Sequence, residues 1–166
     1  MNSYNYLKGT IWCVPRTKNS LTAVRYSTSS SSEVVVQVIW IIEDVKNNYV
    51  YGKCYSYFGN YATANLFGMI SPDGKLQFNF YGEQNVYSTG IIKLNIPDKF
   101  FNGYRNKYII HMQVNIPMEE GTYLMHNSLM VEIKKNSQYY QKLPGTRIFN
   151  NGQSLSVDEF ISKATL

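Results

Sequence analysis

Residues 71–81 read SPDGKLQFNFY, and this stretch decides the fold. Leu76, Phe78 and Phe80 alternate with Lys75, Gln77 and Asn79, the period-two signature of a strand with one face in oil and one in water. Just before it, Pro72 presets its own backbone angle, and Asp73-Gly74 tolerates the positive φ that a tight hairpin needs. Residues 65–70 (NLFGMI) supply the preceding strand, so residues 62–81 read as a β-hairpin.

The same alternation extends in both directions. Residues 33–43 (EVVVQVIWIIE) are apolar on both faces, as expected of a strand whose outer side is covered. Residues 44–48 then read as a turn and 49–58 (YVYGKCYSYF) as the return strand, with Tyr49, Tyr51, Lys53, Tyr55 and Tyr57 sharing one face. Residues 105–116 and 123–133 form a further pair around a turn at 117–121, and shorter strands are expected at 9–14, 21–27 and 86–94. Residues 27–32 (STSSSS) read as a loop. On this parity the interior holds Val36, Val38, Trp40, Leu76, Phe78, Phe80, Ile110, Met112, Leu129 and Val131, whereas Ser128 and Glu132 face outward. After residue 135 the chain turns polar and is broken by Pro144-Gly145 and Asn151-Gly152. Ser156-Val157-Asp158-Glu159 is then a capping box that predicts a short helix over about 157–164. The expected fold is all-β: one domain, an antiparallel up-and-down barrel of about eight to nine strands over residues 7–135, with a C-terminal extension and helix over 136–166.

Composition narrows the class. Hydrophobic residues make up 44% of the 166 and charged residues 16%, which excludes a disordered chain. The abundance of Asn, Tyr, Lys and Ile fits an AT-rich genome. The net charge of +5 is uneven: residues 1–32 carry +4, residues 33–132 carry −2 and residues 133–166 carry +3. The first residues, MNSYNY, lack a basic and an apolar signal region, and the longest apolar run, 34–42, is about half of what a membrane helix needs. Cys13 and Cys54 are expected as buried free thiols, and a cytoplasmic location follows from these features together.

Among chemical signatures there is no phosphate-binding loop, dinucleotide fingerprint, nucleophile elbow, zinc-helix motif or Cys-x-x-Cys. Asp44, Asp73, Asp98, Glu119 and Glu120 fall at expected turns or strand ends. No catalytic residue, metal or cofactor is expected. His111 and His126 flank the 117–121 turn at similar distances, and a simple register puts both imidazoles on one face. They read as hydrogen-bonded structural residues, with a metal or general-base role the lesser alternative. The Tyr49/Tyr51/Tyr55/Tyr57 ladder with Lys53 reads as a cross-strand ladder or oligomer interface, with a stacking platform for single-stranded nucleic acid as its alternative.

Gly9-Thr10-Ile11-Trp12, placed before consecutive hairpins, resembles the opening of the calycin superfamily, the lipocalin-like barrels, although here two residues separate Gly9 from Trp12. Residues 68–75 (GMISPDGK), 111–115 (HMQVN) and Met125-His126 likewise resemble uncharacterised calycin-like proteins. The resemblance implies a barrel with a hydrophobic ligand, and a late Arg packed on the Trp, for which Arg147 is the candidate. The expectation is therefore a non-enzymatic barrel that binds a small apolar or aromatic molecule, or a protein partner. Candidate lumen residues are Trp12, Trp40, Phe78, Phe80, Met112, His111 and His126. Two other classes stand beside it: a basic, Tyr-rich nucleic-acid-binding or structural, oligomeric protein, and a calycin-like enzyme using a few lumen residues.

Overall fold

Alternating side chains and short connections fold this chain into a meander of hairpins. The computed structural model describes residues 4–16, 21–27, 30–72, 75–81, 86–94, 108–118 and 121–166. A 3-10 turn, Tyr4–Leu7, precedes β1 (Ile11–Cys13), β2 (Thr22–Tyr26), β3 (Ser31–Val35), β4 (Gln37–Lys46) and β5 (Tyr49–Tyr57). Then follow β6 (Tyr61–Ile70), β7 (Lys75–Tyr81), β8 (Val86–Leu94), β9 (Tyr108–Pro117) and β10 (Tyr123–Ile133). Three helices end the chain: α1 (Gln138–Gln141), α2 (Thr146–Phe149) and α3 (Val157–Ala164).

The sheet is antiparallel, and its strand order closes on itself, because β1 pairs with both β4 and β10. Ile11 lies between Ile41 and Ile133, and Cys13 between Ile39 and Val131. β2 takes over along the same edge of β10, with Met125 opposite Val24, and β3 pairs with β2 before running into β4. β1 with β2, and β3 with β4, thus act as two interrupted strands, which makes ten segments serve eight barrel positions. Between β4 and β5 the turn is Asn47-Asn48, both at positive φ, the geometry of a two-residue hairpin. The expected turn at 44–48 is therefore shorter than its sequence suggests, and Asp44 belongs to β4, where Lys8 pairs with it at 2.8 Å. Ser31 and Ser32, expected in a loop, begin β3; Thr28 and Ser29 lie outside the described residues, as do Asp73, Gly74, Asp98, Glu119, Glu120 and the Leu76 side chain.

Two apolar clusters result. One fills the barrel and includes Trp12, Val36, Val38, Trp40, Phe78, Phe80, Ile110, Met112 and Met130. The other lies outside the barrel wall, where Cys13, Ile39, Val131 and Ile133 pack under Tyr140, Leu143, Leu155, Val157 and Phe160 of the C-terminal segment. This corrects the parity of β10. Leu129 and Val131 face the outer cluster, whereas Leu124, His126, Ser128 and Met130 are the buried inward set. Both faces of β10 are apolar because both are covered, so alternation alone does not choose between them.

The C-terminal segment is held by buried polar stitches. Gln37, wholly buried, accepts from the Val14 and Val38 N–H groups and donates to the carbonyls of Val14 (3.0 Å) and Pro144 (2.8 Å). Its amide replaces strand pairing just where β1 ends. Tyr140 donates to Asp158 (2.7 Å), and Thr146 donates to the Leu143 carbonyl while accepting from the Leu155 N–H. The capping box forms as expected, with Ser156 accepting from the Glu159 N–H and Glu159 accepting from the Ser156 N–H.

Candidate functional site: the mouth of the barrel

The two ends of the barrel are closed to different degrees. At the floor, the 3-10 turn is tied to β4 by the Gly9 N–H to the Ile42 carbonyl and the Ile42 N–H to the Thr10 carbonyl. The Trp12 indole donates to Thr10 Oγ1 (2.8 Å), which holds the ring among buried Leu7, Ile42 and other interior side chains. Opposite Trp12 on β4, Trp40 packs on Phe78 (centroids 4.7 Å) and Phe80 (5.7 Å), forming an aromatic layer across the lumen. Gly68 makes this layer fit, because a Cβ there would stand 2.5 Å from the Phe78 ring.

Above that layer lies a cavity of about 650 Å³. The strand registers place its lining residues. β5 and β6 pair up to Tyr57 and Tyr61, and β9 and β10 up to Pro117 and Tyr123. Between these tall hairpins, β6–β7 pairing stops at Asn65 and Tyr81, and β7–β8 pairing at Phe80 and Val86. Residues 61–64 of β6 have no β7 partner among the described residues. Ala62 and Ala64, small residues of this stretch, line the cavity. Trp40, Phe80, Val114, Ile116 and Leu124 form its apolar depth, and Ser56 and Asn60 bring uncharged polar groups to it. The C-terminal helix reaches the rim: the Ala164 carbonyl accepts from Thr63 Oγ1 at 2.6 Å.

Of the lumen candidates named from sequence, Trp40 and Phe80 line this cavity, as does Val38 of the expected interior set. Trp12, Phe78 and Met112 are buried in the packed core instead. His126 is buried inside, its ring edge-to-face with Phe58 at 6.0 Å. His111 does not share that face. It lies opposite Leu129 on the outer side of the sheet and hydrogen-bonds Asn127 (2.6 Å). His126 instead pairs with Val114, an odd offset that puts the two imidazoles on opposite faces, so they cannot hold one metal between them. Glu132, too, departs from the expected outward face, sharing the inward parity of Met130 at the strand end, where it pairs with Lys134. Arg147 is exposed on α2 and donates to the Gly152 carbonyl, away from Trp12.

The tyrosine ladder keeps its common outward face but is divided. Tyr57 stacks on Phe149 at 3.9 Å, and Tyr55 packs with it against the outer cluster. Tyr49 and Tyr51 stay exposed beside Phe67, while Lys53 donates to Asn65. A second exposed apolar patch pairs Val24 with Met125 and Tyr26 with Tyr123.

Sequence reasoning missed Gln37 as a structural hub and Ala62 and Ala64 as makers of space. Gln37 carried a signal, a single amide inside an apolar run; the alanines carried none. Both cysteines are buried and free. Burial raises the Cys13 pKa and pushes that of Cys54 up to about 12, the Trp40 indole opposing the latter shift. Among the described residues no group of three or more His, Cys, Asp or Glu could hold a metal ion, and no helix is long and apolar enough to cross a membrane. Protein-family models, curated proteins and solved structures were compared with this chain, and none matches.

Proposed function

We propose that this is a calycin-like binding protein whose barrel mouth takes a small apolar or aromatic ligand. The observation that carries the reading is a cavity of about 650 Å³ at one end of a barrel whose other end buries Leu7, Trp12 and Ile42. Volumes of 300–1,000 Å³ with apolar walls and a few polar groups are what small-molecule sites have. Binding is favoured over catalysis because no carboxylate among the described residues lines the cavity. A nucleic-acid role gains less support, since the C-terminal segment covers half of the tyrosine ladder.

Native mass spectrometry of freshly purified protein tests the proposal. A retained small molecule is expected on the wild type and its loss from Ala64→Phe, which puts a ring into the cavity lining. A folded Ala64→Phe variant that retains the same adduct places the ligand elsewhere and removes the mouth as the site.

A further inference from the structure

The mouth differs electrostatically from the molecule that carries it. The chain has a net charge of +5, and a field of that sign attracts anions. Yet the described residues lining the cavity include no Lys, Arg, His, Asp or Glu. Two titratable groups do line it, Cys54 and Tyr61. Burial pushes the Cys54 thiol up to about 12 and raises Tyr61 above its ordinary value, with Tyr57 adding to the effect. Both groups are therefore neutral at physiological pH. The remaining polarity comes from groups such as the Ser56 hydroxyl and the Asn60 amide. A charge carried against this wall loses water and meets no counter-ion among the described lining residues, whereas a hydroxyl or carbonyl can exchange water for Ser56 or Asn60.

Resting on the reading of the mouth as a ligand site, we infer that its ligand is an uncharged molecule, an apolar or aromatic body with at most hydroxyl- or carbonyl-type polarity, and that the cavity rejects carboxylate and ammonium forms of the same body. The wall, not the net charge, sets this preference.

Calorimetric titration at pH 7 with 2-naphthalenemethanol, 2-naphthoate and 2-naphthylmethylammonium separates the two influences, because the three share one ring system. The alcohol is expected to bind at least about tenfold more tightly than either ion, with an affinity indifferent to salt. Ala62→Lys, which adds a cation at the exposed rim, is expected to reverse the order in favour of the naphthoate. Naphthoate binding the wild type as tightly as the alcohol, and weakening in salt, overturns the inference and leaves the cavity standing as a site. The ammonium compound binding best overturns it equally. Absence of binding by all three overturns the underlying reading of the mouth, and the inference goes with it.

Discussion

At the floor, Trp12, Leu7 and Ile42 meet under a 3-10 turn with the indole N–H satisfied by Thr10. At the mouth, the lumen is lined by small residues, Ser56, Ala62 and Ala64. The same hairpins run through both ends, so the difference lies in side-chain volume. Large residues at one end provide stability; small ones at the other leave space. Stability and binding are thus assigned to opposite ends of one lumen, and substitutions at the two ends should separate them.

The sharpest break is Trp12→Ala. Emptying the floor should cost about 3–5 kcal/mol in chemical denaturation, and a cost below about 1 kcal/mol would show that the floor does not hold the barrel together. Next comes Gln37→Leu, similar in volume but without the amide. It strands the Val14 N–H and the Val14 and Pro144 carbonyls in a buried seam, for an expected loss of about 2–4 kcal/mol. Faster hydrogen exchange is expected in residues 138–164 of that variant, and unchanged protection there would refute the stitching role.

Tyr140→Phe should cost about 1 kcal/mol at neutral pH through the lost bond to Asp158. Its pH dependence is more telling. Burial first, and then the bond donated to Asp158, push the Tyr140 pKa up to about 12 from 10.0. The folded state thus disfavours the phenolate, and the contribution is complete below pH 10 and lost as pH rises from 10 towards 12. Wild-type stability should fall more steeply than that of Tyr140→Phe across that window, and parallel curves would contradict this. Smallest of all is the stability effect of Ala64→Phe, expected within about 1 kcal/mol, because its ring enters space that is already there.

Much of the barrel was legible in the sequence because one face of β7 is apolar and the other polar, and because α3 announces itself through Ser156 and Glu159. β10 was harder. Its outer face is apolar for a tertiary reason, burial under Tyr140, Leu143 and Phe160, and that information sits outside the strand. The inverted parity of Leu129 and Val131, and the separation of His111 from His126, both follow from it. Trp40 and Phe80 were identifiable as interior aromatics, but the cavity beside them was not. Its lining comes from β4, β5, β6, β7, β9 and β10 together, and which side chains meet across a lumen is a matter of register rather than of residue type.

The three residues of β1 carry a consequence for how the molecule comes into being. Ile11 borders both Ile41 and Ile133, so one of its neighbours is made soon after it and the other more than a hundred residues later. On the ribosome, this short segment can dock on one side early, yet the ring stays open until residues 131–133 have been made. An emerging chain is therefore a curled ribbon with a waiting edge, and closure is among the last structural events of its synthesis.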